Sequence, residues 1–158
     1  MPLRMRFIYS TSVIIVLTAF FFLLQYSRAL SILGINPNFM LVFPLFLIFK
    51  EEKPFPFFIT ILFSAALAFF FSSFWVFNAF VALLITVVVF FARAFFTGNR
   101  MIDFFLMIVA TTLLFLLILF AFHWEDISFY TIAGSILYNV IIGALIALAG
   151  SRIHFYER

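Results

Sequence analysis

Cysteine is absent from this 158-residue chain, which removes disulfides, thiolate metal sites and cysteine nucleophiles at once. Charge is scarce as well: Asp, Glu, Lys and Arg together make up 9% of the residues. A soluble domain of this length needs far more polar surface than that to cover its core. Histidine occurs only at His123 and His154. No carboxylate pair, HExxH, GxSxG or phosphate-binding loop is present, so neither an enzyme nor a bound cofactor is expected. No basic cluster exceeds two nearby residues, which argues against nucleic acid as a partner. There is no internal repeat.

What remains is apolar. Hydrophobic residues make up 68% of the chain, 29 of them phenylalanine, and mean hydropathy is +1.32. Lipid is the solvent that suits this composition, with membrane lipid as the constant neighbour. The length allows one compact bundle over residues 1–158 and no second folded domain.

Six apolar runs follow one another, at about residues 7–24, 39–49, 55–71, 74–96, 101–122 and 127–150. The fold expected is an all-α integral membrane protein, a compact bundle of six transmembrane helices, with five as the alternative. The second run raises that alternative. Its eleven residues rise only about 17 Å against a hydrocarbon core of roughly 30 Å. Pro37 and Pro44 further suggest a short, bent or re-entrant piece. Between the runs lie turn-forming clusters: Gly34-Ile35-Asn36-Pro37-Asn38, Lys50-Glu51-Glu52-Lys53, Ser72-Ser73, Thr97-Gly98-Asn99-Arg100 and His123-Trp124-Glu125-Asp126. The first run has a basic start at Arg4 and Arg6, but it is longer than a secretory signal core. An arginine also interrupts the small residues of Ser27-Arg28-Ala29, so an uncleaved first helix is expected.

Basic residues give an orientation. With six spans and both ends in the cytoplasm, Arg4, Arg6, Lys50, Lys53, Arg93, Arg100, Arg152 and Arg158 fall inside and only Arg28 outside. Five spans would divide them seven to two. The bias favours six spans, N-in and C-in.

Ionisable groups within the runs are few. Arg93 stands near a span end, where its side chain can snorkel, and Asp103 in a first turn, where a carboxylate suits the helix dipole. His123 and His154 fall on opposite sides of a six-span bundle and cannot share a metal. His123-Trp124 reads as an interfacial pair and Asp126 as a helix N-cap. Gln25, Asn38, Ser64, Asn78, Thr86, Thr111, Thr112 and Asn139 are expected to hydrogen-bond between helices, each bond worth about 1 kcal/mol or less. Small residues mark helix contacts: Gly143, Ala147 and Gly150 in the sixth run, Ser64 and Ala68 in the third. These are expected to be packing surfaces, internal or toward a partner.

The layout resembles that of the rod shape-determining protein MreD family: similar size, five or six spans, short loops. The family's second span opens with Pro followed by Asp or Asn and a Leu-rich run, and here Pro37-Asn38-Phe39-Met40-Leu41-Val42 is similar. A Gly-Leu-Asn-Ala-Leu-like start of the family's fourth span is matched by Val76-Phe77-Asn78-Ala79-Phe80. The family's third span carries paired glycines and ends in an aspartate. Residues 55–73 contain neither, so no role of that aspartate carries over. The resemblance implies a non-enzymatic scaffold of the bacterial cell-elongation machinery. Such a scaffold binds the single-span protein MreC and couples MreB filaments to peptidoglycan synthases. The alternative is the substrate-binding membrane component of an energy-coupling-factor transporter. That reading asks for a stripe of small residues in the first span, where Ser12, Thr18 and Ala19 do not form one. A membrane assembly factor outside both families is a third reading.

Overall fold

A computed structural model describes residues 3–50, 54–70, 73–96, 98–123 and 128–150, with side chains at all of these but 3–9, 73–75, 94 and 123. The regular elements among the described residues are all helices. They form α1 (Leu3–Ser27), α2 (Phe39–Lys50), α3 (Phe55–Ala68), α4 (Ser73–Ala92), α5 (Arg100–His123) and α6 (Phe129–Gly150), with a 3-10 turn at Arg93–Phe95 after α4. No strand occurs among them; one isolated bridge joins Ile32 to Ile35. Three helices are long and apolar enough to cross a membrane, through Ser10–Ser27, Arg100–Phe122 and Phe129–Gly150. α2 and α3 are shorter, at 12 and 14 residues, and equally apolar, which accords with a membrane protein whose helices differ in reach.

Turn residues end the helices where the sequence places them. Pro54 caps α3 and Pro56 lies in its first turn, where a missing N–H is harmless. Asn99 opens α5: its Oδ1 accepts the N–H groups of Met101 at 3.2 Å and Ile102 at 3.3 Å. The Ser128 hydroxyl does the same for Thr131 in α6, at 3.1 Å. The Asp126 cap expected there lies outside the described residues, as do Trp124, Arg152, His154 and Arg158. Between α1 and α2, Leu33 and Gly34 both take positive φ, 51° and 82°, in a tight turn closed by paired bonds of Ile32 and Ile35.

Neighbouring helices alternate in direction. Phe57 near the start of α3 stacks on Phe90 near the end of α4, at 4.8 Å and 3°. Phe77 of α4 meets Phe122 of α5, and Phe46 of α2 meets Phe104 of α5. Rings of Phe21, Phe39 and Phe43 join α1 to α2, with centroids 5.2 and 4.9 Å apart. Phenylalanine thus serves both between helices and on the outer surface, where Phe80, Phe91 and Phe120 are exposed, since a flat ring fills space without any polar requirement.

α2 is the hub. It packs against all five other helices, and residues 39–48 are all buried. Around it runs the sequence α1, α3, α4, α5, α6, each packed on the next. The ring stays open between α6 and α1, which do not pack together.

Candidate functional site

A helix N-terminus leaves N–H groups without intrahelical partners, and in an apolar interior each must find an acceptor. α2 starts deep inside the bundle. Its acceptor Asn139 is the eleventh of α6's 22 residues, and Thr112, bonded to Asn139, is the thirteenth of α5's 24. The node therefore lies level with the middle of both long helices.

Side-chain amides meet the N–H groups at the start of α2. The Asn38 N–H donates to Asn139 Oδ1 at 2.8 Å, and Asn139 Nδ2 donates to Thr112 Oγ1 at 2.9 Å. The Met40 N–H donates to Gln25 Oε1 of α1 at 2.9 Å. Asn38 caps its own helix, its Oδ1 accepting the Leu41 N–H at 3.2 Å. A backbone N–H can only donate, so Asn139 must turn its oxygen to Asn38, which leaves its amide nitrogen for Thr112. Pro37, buried just before, has no N–H to satisfy and holds the chain extended into the cap. Pro37 and Asn38, the first family-like pair, thus stand where α1, α2, α5 and α6 are joined.

The other polar residues divide. Contrary to the expectation of interhelical bonds, Thr86 donates to Leu83 O and Thr111 to Met107 O, within their own helices. Thr18 and Thr60 do likewise. A threonine hydroxyl reaches the carbonyl one turn back with little rearrangement, so it can be buried without a partner helix. Asn has no such easy recourse. Asn78 keeps a buried Oδ1 with no hydrogen-bond partner, while its neighbour Ala79 is buried in the core.

The small-residue stripe of α6 faces two helices. A Cβ at Gly143 would collide with Ile108 of α5, with Phe104 only 3.5 Å away; one at Gly150 would run into the ring of Phe46 of α2. Ala147 is buried between these positions, and Ser64 and Ala68 lie on the buried side of α3. Asp103 is buried near the start of α5, where its Oδ2 accepts the Gly98 N–H at 3.2 Å. Arg93 lies over the Phe90 ring, 4.3 Å from its centroid. Two contacts were not foreseen from the sequence. Lys50 Nζ donates to the Gly150 carbonyl and sits 5.4 Å from the Phe46 ring centroid; the Tyr138 hydroxyl donates to the Leu30 carbonyl. Only the position of Lys50 in a last turn, suited to a helix C-terminus, hinted at the first.

The gap between α6 and α1 is a cleft of about 290 Å³. Phe39, Phe43 and Phe46 of α2 form its floor, Leu17, Phe21 and Leu24 one wall, and Ile142, Leu145 and Ala149 the other. Among the described residues no group of three or more His, Asp or Glu is placed to hold a metal. Among the described residues, the centre of the bundle holds a hydrogen-bonded polar node and, beside it, an apolar slot. A scan of this chain against protein-family models finds no match, and neither the curated proteins nor the solved structures give one.

Proposed function

We propose that this chain is a six-helix protein of the bacterial cytoplasmic membrane, with both ends in the cytoplasm, serving as a non-enzymatic scaffold of the MreD type. In this role it binds a single-span partner, MreC, and links cytoskeletal filaments to cell-wall synthases through helix faces and short connections.

The observation that carries the reading is the use made of the buried polar side chains. Gln25, Asn38, Thr112 and Asn139 join four helices to one another around the Pro37-Asn38 pair. A transporter component would instead aim such groups into a pocket, whereas the cleft described here is lined by apolar side chains. Orientation draws its support from the alternation of helices. Lys50, Arg93 and Arg100 stand at the end of the bundle where α1 begins and α6 finishes, and Arg28 follows the last residue of α1, away from that end. The rule for basic residues assigns the richer end to the cytoplasm.

The test is affinity purification of the full chain from native membranes in mild detergent, with co-purifying proteins identified by mass spectrometry. Recovery of a single-span coiled-coil protein together with peptidoglycan synthases is the expected result. Recovery of ATPases with a membrane coupling subunit would replace the scaffold by a transporter component. Reporter fusions at the two ends check orientation, and a periplasmic C-terminus would overturn it.

A further inference from the structure

We infer that one buried water molecule sits between α1, α2 and α3, bridging the Met40 carbonyl of α2 to the Ser64 hydroxyl of α3. Pro44 lies inside α2, well past its first turn. In an unbroken helix the N–H of residue 44 donates to the carbonyl of residue 40. Proline has no N–H, so the Met40 carbonyl loses that donor. Pro44 is fully buried and Met40 is 5% exposed, which keeps bulk solvent from making up the loss. Within an apolar bundle, a neighbouring hydroxyl or an ordered water takes over such a carbonyl.

Both are at hand beside Pro44. A cavity of about 10 Å³ is lined by Met40, Phe43 and Pro44 of α2, Thr18 of α1, and Thr60 and Ser64 of α3. That volume suits one water molecule and nothing larger. Helical carbonyls point along the axis toward the next turn. Met40 and Pro44, one turn apart, both line the cavity, which sets the unsatisfied oxygen on this face.

The hydroxyls around the cavity are not equivalent. Thr18 and Thr60 donate to the Ile14 and Pro56 carbonyls, at 2.7 and 3.0 Å, so toward the cavity their oxygens can only accept. Ser64 differs. It is 3% exposed, and its hydroxyl makes no hydrogen bond to any described residue, which leaves its proton to donate into the cavity. Several acceptors and one donor around so small a space fit a molecule that donates twice and accepts: water. No charged side chain lines the cavity, so an ion there would be buried without a counter-charge. The bridge gives α3 a polar tie to the hub, where the node reaches α1, α5 and α6.

The test is a crystal structure of the full chain, grown from a lipidic phase and detailed enough to show ordered water. Density is expected about 2.8 Å from both the Met40 carbonyl oxygen and Ser64 Oγ. A dry cavity would overturn the proposal, as would a Ser64 hydroxyl bonded directly to the Met40 carbonyl. So would a peak ringed by six or more oxygens at about 2.4 Å, which marks a cation. Equilibrium unfolding in mixed micelles gives a second reading. Ser64→Ala should lower the folding equilibrium constant about fivefold, the usual effect of losing one hydrogen bond. In a Pro44→Ala background residue 44 regains the N–H for the Met40 carbonyl, and the same change should then lower it less than about twofold. Equal losses in the two backgrounds would separate Ser64 from the proline gap and overturn the bridge.

Discussion

α2 and α5 are both unbroken apolar helices, yet they live in different surroundings. α2 has 12 residues and buries ten in succession. α5 has 24, only 22% of its apolar stretch is buried, and Leu106, Leu114, Leu117 and Phe120 face outward. In water, apolarity would mark both as core. In lipid it marks neither, because the solvent is as apolar as the interior. Length is what separates them. A 12-residue helix rises about 18 Å and cannot cross alone, so its exposed end groups must be met by protein.

The comparison can be broken by substitution, and the largest effect belongs to the hub. Leu45→Ala, at a position with 0% exposure, should destabilise the fold by about 2–4 kcal/mol through the cavity it leaves. Equilibrium unfolding in mixed detergent micelles measures this. Next comes the node: Asn139→Leu strands the Asn38 N–H and should cost about 2 kcal/mol. A double-mutant cycle with Thr112→Val should return a coupling of roughly 0.6–1.7 kcal/mol between the two side chains, and zero coupling would remove the node from the account. Gly98→Ala, at φ 88°, should lose about 1 kcal/mol by forcing a side chain into the left-handed region, seen as a lowered Tm. Smallest of all, Leu117→Ala on α5, at 62% exposure, should change stability by no more than about 0.5 kcal/mol. If Leu117→Ala and Leu45→Ala gave equal effects, the contrast between hub and outer helix would collapse.

Helix positions were legible because turn-forming clusters bound each apolar run. The run at 39–49 became Phe39–Lys50, and that at 101–122 became Arg100–His123. The run at 55–71 overreached, since α3 ends at Ala68 and Phe69-Phe70 turn. Apolarity alone carries no stop signal there. The node was half legible. Asn139, Gln25, Asn38 and Thr112 stood out as polar residues among apolar ones, but so did Thr86 and Thr111, which bond within their own helices. Amides and hydroxyls look alike in composition; what parts them is whether a carbonyl one turn back can serve. Nor could spacing show that Gly143 and Gly150 abut different helices, because seven residues return to nearly the same helical face.

α6 grips α2 at both ends: Asn139 holds the N–H of its cap residue Asn38, and the Gly150 carbonyl receives Lys50. These contacts join residues 101 and 100 positions apart. During synthesis α6 leaves the ribosome after the other five helices, so the hub is laid down long before its clasp. Until then the buried amide of Asn38 lacks the acceptor that makes its burial tolerable. The half-length helix therefore completes its seating only when translation has passed position 150, and a nascent chain arrested before Asn139 carries an unfinished centre.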